Sequence, residues 1–359
     1  MKHLTIFTLL SMFPLIWSCA TAPKKVMRND PLIGKIVKGD TGEPINYKSL
    51  VSTLADHDVI YLSEKHDNPM HHAIQMRIIQ ELIDQGRSPA VGFEFFSFQD
   101  TPLLLNLVDA RKKAHTPDME KKVETRMREK LGWKGQPDKM WAYYWDLLTL
   151  AADNQLTPAG LDLSSTQKRR ITRKGISGLT PIEKKQLFST GLSNPAYESY
   201  MKSIFKAVHC GMDHGKMTER LYDTWVARND RMALSIVQLY ESLAKNQGEN
   251  KDTKSGPVVI IMGNGHTESG LGVIDRIRHL NPEISQINLA MMEIFREEAD
   301  LDDYLAPLEL DGFDPVPPAD FVWFTQRVSY EDPCKKFKQA LDKMKKKAAG
   351  SETPKPKTP

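Results

Sequence analysis

GPVVIIMGNGHTESGLGVI, residues 256–274, is the stretch that decides the fold. An uninterrupted apolar run from Val258 to Met262 leads into a glycine-rich turn that ends at His266, and apolar residues at helical spacing follow from Val273. Near-continuous hydrophobicity in so short a run is typical of a parallel strand that is covered on both faces. The stretch therefore predicts a buried strand, a polar turn and a covering helix, which is the repeating unit of an α/β sheet.

Five further short apolar runs predict strands of the same sheet, and amphipathic helical patterns such as 70–85 lie between them. The stretch from about 97 to 250 is mostly helical in pattern. The fold class predicted from this alternation is α/β, with a mostly parallel sheet flanked by helices and a large helical insertion subdomain. The five runs are 58–62, 90–94, 158–161, 286–289 and 321–324.

Length and composition agree with this class. At about 150 residues per domain, 359 residues correspond to roughly two domains, or to one α/β domain with an insertion. A hydrophobic content of 40% excludes a wholly disordered chain, and three cysteines exclude a disulfide-based scaffold. The net charge of +3 gives no argument for nucleic acid as a partner, and none is expected.

The N-terminus has the pattern of an export signal. A polar start at Lys2 and His3 precedes an apolar segment that is too short to span a membrane, and residues 16–19 read IWSC. This sequence resembles a bacterial lipobox, which implies removal of residues 1–18 and acylation of Cys19. The acyl chains would anchor the protein in one leaflet, with the outer membrane facing the periplasm as the expected destination. Residues 19–30 then form a tether.

The other end of the chain is basic. Residues 335–359 contain nine lysines and two acidic residues, so the remainder of the chain is mildly acidic. We predict a folded region over 31–334, followed by a Pro/Lys-rich tail. The remaining cysteines, Cys210 and Cys334, either pair or leave one sulfur for a ligand, and the sequence does not decide between these alternatives.

Polar groups that can handle protons or metals follow three of the predicted strands. The first strand is followed by Glu64 and His66, the second contains Glu94 at its end, and the strand of the opening stretch is followed by His266. Ligands of open α/β sheets bind outside the carboxyl ends of the strands. We therefore predict one polar site from these four residues. His71 and His72 are adjacent at the start of a helix, so at least one of them is expected to be structural.

Five strings, taken in order, resemble the ChaN-type haem-binding lipoproteins, whose superfamily includes the Tiki proteases, TraB proteins and erythromycin esterases. The mark of this superfamily is a pair of Gly-x-x-His motifs with a strand-end glutamate between them. Gly263 to His266 matches the second motif and Glu94 matches the glutamate, whereas Ser63 replaces the glycine of the first motif. The strings are YLSEKHDNPMHHAIQMRIIQEL (61–82), VGFEFF (91–96), WVARNDRMALSIV (225–237), VVIIMGNGHTESGLGV (258–273) and ADFVWFTQRV (319–328).

The resemblance implies a lipid-anchored protein that binds haem for haem or iron uptake, with an outer-membrane haem receptor and a second copy of the chain as further partners. Haem iron takes an axial His, Tyr, Met or Cys in an apolar pocket. The helical insertion offers such side chains within a short stretch. The haem-ligand candidates are Tyr200, His209, Cys210, Met212 and His214.

Two other functions remain open from the sequence. In the first, His66, His266 and Glu94 bind a divalent transition metal, or act with Glu64 as acid and base, in a hydrolase of the peptidase or esterase type. In the second, the chain is an envelope interaction lipoprotein without chemistry, whose basic tail contacts anionic lipid or polymer.

Overall fold

The computed structural model describes residues 30–185, 194–211, 215–247, 254–295, 300–332, 334, 335, 338, 339 and 342. The predicted signal peptide, Cys19, residues 19–29 of the tether and most of the basic tail lie outside the described residues, as do Met212 and His214.

The described strands form one sheet of seven, in the order β1-β7-β6-β2-β5-β3-β4. Every neighbouring pair is parallel except β1 and β7, which are antiparallel at one edge. The chain leaves β2 for β3 and β4 on one side, returns as β5 and crosses to β6 on the other side, so the direction of winding changes beside β2. The strands are β1 Ile36–Lys38, β2 Val59–Glu64, β3 Arg87–Ser97, β4 Thr157–Asp162, β5 Lys254–Gly263, β6 Gln286–Glu293 and β7 Phe321–Thr325.

Helices connect these strands and cover both faces of the sheet. None of the helices in the described part of the chain combines the length and the apolar character needed to cross a membrane. The helices are α1 Tyr47–Ala55, α2 Pro69–Asp84, α3 Thr101–Lys112, α4 Pro117–Lys130, α5 Asp138–Asp153, α6 Ser165–Lys174, α7 Pro181–Lys184, α8 Pro195–Val208, α9 Lys216–Gln247, α10 Val273–Leu280 and α11 Leu301–Leu305.

The core divides along the sheet because successive side chains of a strand point to opposite faces. Ile60 and Leu62 of β2 pack with α1, α2, α3 and α5 on one face, whereas Val59 and Tyr61 pack with α9 and α10 on the other. All four are fully buried. Burial of an aliphatic side chain such as Ile60 or Leu62 stabilises the fold by about 1.5–3 kcal/mol.

The predicted fold class is confirmed, since all six predicted runs are strands of this mostly parallel sheet. The stretch predicted as a helical insertion contains α3 to α9 and the strand β4. Its helices do not stand apart from the sheet: Leu104 of α3 and Leu148 of α5 belong to one core, and Ile236 of α9 belongs to the other. The same helices therefore help to shape the crevice described next.

Candidate functional site

The four polar residues predicted from the strand ends lie together at one place, the carboxyl ends of β2, β3 and β5. Glu64 at the end of β2 pairs in register with Gly263 of β5. The backbone N–H of Gly263 donates a hydrogen bond of 2.7 Å to Oε2 of Glu94 on β3. The 3₁₀ turn Asn264–His266 then continues from β5. We call the site formed by Glu64, His66, Glu94 and His266 the strand-end crevice.

Glu64 is the buried acceptor behind His66. Its Oε1 accepts hydrogen bonds from the hydroxyl of Tyr144 at 2.5 Å and from Nδ1 of His66 at 3.0 Å, and its Oε2 accepts one from the amide of Gln75 at 2.8 Å. Burial by itself would raise the pKa of Glu64, but these hydrogen bonds and the nearby imidazoles of His66 and His72 lower it overall. Glu64 is therefore an ionised carboxylate that orients His66.

His66 is the imidazole that faces solvent, with 39% of its side chain exposed. Burial of part of the ring lowers its pKa, but the hydrogen bond to Glu64 and the charges of Glu64 and Glu94 outweigh this effect, so the pKa is raised. The ring leaves no room for a side chain at Gly263, where a Cβ would lie 3.0 Å from Nε2 of His66. The first glycine of the second motif is thus required by close approach.

Glu94 lies between the two histidines and has three donors or cations around it. Besides the Gly263 N–H, its Oε1 accepts from Nη2 of Arg228 at 2.6 Å and lies 3.3 Å from Nε2 of His266. Burial opposes ionisation of this carboxyl, but His266, Arg228 and His66 together hold its pKa well below the usual range. Arg228 also donates from Nε to Asp162 at 2.9 Å, and Asp162 accepts from Lys168.

His266 is the buried imidazole of the crevice. Its Nδ1 donates to Oδ1 of Asn229 at 2.9 Å, and its ring stacks on Trp225 with centroids 4.3 Å apart. Burial lowers the pKa of His266 more than the charge of Glu94 raises it, so the ring is neutral near pH 7.

The environments of the two crevice histidines move their pKa values in opposite directions. A raised pKa suits His66 to donate a proton, and a lowered pKa suits His266 to accept one. Chemically, the crevice can therefore perform general acid and base catalysis.

His71 and His72 differ in role, as expected for adjacent helical residues. Nδ1 of His71 accepts from the backbone N–H of Lys65 at 2.8 Å, and its Nε2 donates to Thr325 at 2.8 Å, so His71 holds the loop after β2. His72 points toward the crevice, with its Nδ1 3.2 Å from Oε2 of Glu64. His71 is the structural member of the pair.

Acid is expected to destabilise the protein through His71. Burial lowers the pKa of His71 to about 3, against 6.5 for the ordinary imidazole. Between these values the unfolded chain binds the extra proton, so stability is lost as the pH falls from about 6.5 toward 3, by about 5 kcal/mol in all. Urea denaturation at pH 7, 5 and 4 should show a shallower pH dependence for His71→Asn than for the wild type. Equal slopes for the two proteins would contradict this role.

The metal-binding alternative has no support from the geometry. Over the part of the chain that the structure describes, no group of three or more His, Cys, Asp or Glu side chains is arranged to hold a metal ion. His66, His266 and Glu94 do converge, but the Arg228 guanidinium and the Gly263 N–H already occupy the oxygens of Glu94. A cation that shares the carboxylate competes directly with a metal for it.

Of the described haem-ligand candidates, Tyr200 lies within α8, and His209 and Cys210 lie at its C-terminal end. Tyr200 packs beside Tyr197, Tyr222 and Trp225, and burial raises the pKa of its hydroxyl. His209 caps the helix, and its Nδ1 donates to the carbonyl oxygen of Phe205 at 2.7 Å. This hydrogen bond assigns a proton to Nδ1.

Cys210 and Cys334 form a disulfide. Of the two alternatives that the sequence left open, pairing or a free sulfur for a ligand, the structure therefore has the pairing. The assignment of Cys210 as a haem-ligand candidate is therefore wrong for this state, because a disulfide sulfur offers no thiolate to a metal. The bond joins residues separated by 124 positions and attaches the start of the basic tail to the turn after α8.

Trp225 connects the two regions. Its ring stacks on His266 of the crevice on one side and contacts Phe205 of α8 on the other, with centroids 6.1 Å apart. Its Nε1 lies 3.3 Å from the hydroxyl of Tyr197. The crevice and the end of α8 are thus neighbours across one aromatic layer.

Sequence reasoning assigned no site role to several residues that build the crevice. Arg228 and Asn229 occur in the family-like string 225–237, and helical spacing puts them one turn beyond Trp225. Tyr144 belongs to an aromatic run on α5 that is indistinguishable from core packing. Ser63, which replaces a motif glycine, is accommodated in β2, where its hydroxyl bonds to Thr267 and Asn288 at 2.7 Å each.

Comparison with known proteins gave one family and several solved structures. The family model described as "Haem-binding uptake, Tiki superfamily, ChaN" matches residues 50–277. The chain is similar to a solved structure of cofacial heme binding to ChaN of Campylobacter jejuni, with 17% identity and a TM-score of 0.57 over 80% of this chain and 95% of that one. This likeness establishes the fold.

Two further solved structures match at lower similarity. One is the type III effector HopBA1, with 12% identity and a TM-score of 0.38 over 78% of this chain and 92% of that one. The other is a mutant erythromycin esterase, EreC, in its open conformation, with 11% identity and a TM-score of 0.39 over 79% of this chain and 83% of that one. No curated protein matches the sequence significantly.

Proposed function

The chain belongs to the ChaN family of haem-binding uptake proteins in the Tiki superfamily, and we propose that it binds haem for uptake at the bacterial envelope. The observation that carries this proposal is the family match over residues 50–277, which includes both the strand-end crevice and the end of α8. The ChaN structure of similar fold, in which heme binds cofacially, supports the same function.

The end of α8 has the donor set that haem needs. The imidazole of His209, or the phenol of Tyr200 earlier on the same helix, would bind the haem iron, and His214 and Met212 follow in the chain. Val208 has 61% of its surface exposed and Met217 has 39%, which gives the porphyrin apolar surface to cover. Bound haem would supply a redox-active iron, and these residues would orient it.

A basic groove beside this helix end suits the propionates of haem. The groove has a volume of about 510 Å³ and runs between α8 and α9. Lys202, Lys206 and Lys216 line it, and Lys202 also forms ion pairs of 2.6 Å with Glu198 and Glu219. Cations at the rim of an apolar surface favour an amphipathic dianion over a neutral ligand.

Hemin titration of the chain from residue 20 onward tests the proposal. A shifted and saturable Soret band is expected, with stoichiometry read from the break point. Absorbance that stays that of free hemin would refute haem binding. Elemental analysis of the same sample before titration reports whether a transition metal copurifies.

A second copy of the chain is proposed as a partner of the loaded form. Heme binding to ChaN of Campylobacter jejuni is cofacial, and an exposed haem face on each copy would give the same arrangement here. Light scattering with and without hemin should show a doubling of mass on loading. An outer-membrane haem receptor is proposed as the delivery partner.

Lipid anchoring rests on the lipobox-like residues 16–19. The Cys19→Ala variant is expected to lose the acyl chains and to remain unprocessed or to leave the membrane fraction, because its anchor depends on the Cys19 thiol. Mass spectrometry and membrane fractionation check this result. Unchanged acylation and anchoring of the variant would contradict the assignment and the proposed outer-membrane location.

One observation favours a hydrolase as the second candidate function: His66 and His266 have pKa values moved apart on either side of Glu94. A general acid and a general base at one crevice are sufficient for ester or peptide hydrolysis by an activated water. If this function holds, His66→Ala should lower kcat on a responsive ester or peptide by about 100-fold or more, with a smaller change in KM. A chain that neither binds hemin nor hydrolyses such substrates would instead be an interaction protein.

A further inference from the structure

Arg231 of α9 is a buried cation without a carboxylate partner. Only 4% of the residue is exposed. Its Nε donates to Oγ of Ser235 at 3.1 Å, and its Nη2 donates to Oε1 of Gln238 at 3.0 Å. Both acceptors are neutral, and Nη1 has no hydrogen-bond partner among the described residues.

Two neighbouring arginines, the partly buried Arg228 and the buried Arg276, are each paired with a carboxylate. Arg228, one turn earlier, bonds to Glu94 and Asp162, and Arg276 bonds to the buried Asp230. Burial alone acts on Arg231 and lowers its pKa to about 10. A guanidinium that is removed from water without a counter-charge destabilises the folded state.

Phe98 and Gln238 lie beside the Arg231 guanidinium and leave some of its N–H groups near the surface. The guanidinium lies over the ring of Phe98, 4.5 Å from its centroid, so one face is covered. Nη1 is not fully enclosed, so this nitrogen keeps some contact with solvent. Gln238 is exposed, and because its oxygen faces Arg231, its amide N–H groups add donors beside the guanidinium.

We propose that Arg231 and Gln238 form a binding site for an oxyanion, the phosphate or carboxylate group of a small ligand, at the junction of α9 with the 3₁₀ turn Phe98–Asp100. The planar fork of a guanidinium matches the oxygens of both groups bidentately. The bound anion supplies the counter-charge that the fold omits. This site is separate from the end of α8 and does not depend on haem binding.

Anion titrations at constant ionic strength test the proposal, with inorganic phosphate and acetate as probes and chloride as the background salt. The Nε–Hε resonance of Arg231 should shift saturably, and the melting temperature should rise with the same midpoint. A response to phosphate alone assigns a phosphate ligand, and a response to both probes assigns oxyanions in general. No saturable shift with either probe overturns the proposal.

The variants separate this site from general anion effects. Arg231→Met should weaken phosphate binding at least tenfold without lowering the melting temperature in phosphate-free buffer, because the unpaired charge is gone. Arg220→Met, on the same helix, should bind phosphate as the wild type does. Gln238→Ala changes an exposed residue, so it should fold and bind several-fold more weakly. Equal phosphate responses in the wild type, Arg231→Met and Gln238→Ala would overturn the proposal.

Discussion

The His209→Ala variant is expected to bind hemin at least about 100-fold more weakly than the wild-type chain. Replacing a residue that only supports a metal ligand costs 10–100-fold in affinity, and loss of the ligand itself should cost no less. Nδ1 of His209 donates to the Phe205 carbonyl oxygen, so Nε2 is the ring nitrogen that would bind the iron. Hemin titration followed at the Soret band measures the loss.

Two further variants show whether the loss of hemin affinity is specific to His209. His115→Ala removes an exposed imidazole on the loop before α4 and should leave hemin affinity unchanged. Tyr200→Phe removes the other described ligand candidate and keeps the ring that packs beside Trp225. Wild-type affinity in His209→Ala, together with a loss in Tyr200→Phe, would move the axial ligand to the tyrosine.

The disulfide holds the turn at the end of α8, and the sequence left this pairing open. Cys210 directly follows His209 and adopts a positive φ of 63°, which a non-glycine residue rarely holds without support. Its bond to Cys334 ties this turn to a segment that is distant in the chain. A separation of 124 residues leaves no local pattern, so only tertiary structure could pair the two cysteines.

The strands were predictable because burial on both faces leaves an uninterrupted apolar run, and such a run is visible without any neighbours. β1 was missed for the opposite reason: it has three residues, lies at the edge of the sheet and ends in an exposed lysine. The crevice residues on strands were predicted because the ends of parallel strands share one edge. Arg228 and Asn229 reach the same place from α9, and helical spacing alone does not say which side chain meets which strand.

Resemblance to a family added what spacing could not supply, since it placed strings from β2, β3, α9, β5 and β7 in one order. It did not assign a role to each residue. Tyr144 and Gln75 hold Glu64 through hydrogen bonds that join three separate elements, and their positions in the sequence are typical of core or of a solvated helix face. Hydrogen-bond partners distant in sequence are therefore the part of the site that required the structure.

Glu94→Ala is expected to lower the free energy of unfolding by about 3–5 kcal/mol, because truncation of one partner leaves buried donors and charge unpaired. The carboxylate accepts from the Gly263 N–H and from Arg228, and it faces His266. Arg228 keeps only Asp162 after the change.

Urea denaturation at pH 7 measures the loss, with Glu94→Gln and Glu283→Ala as controls. Glutamine keeps the volume and one acceptor oxygen, so it should lose less stability than alanine does. Glu283 is exposed, and its replacement should change stability by no more than about 0.5 kcal/mol. If Glu94→Ala were as stable as Glu283→Ala, Glu94 could not be the electrostatic centre of the crevice. The raised pKa of His66, one part of the argument for the hydrolase candidate, would then lose one of its causes.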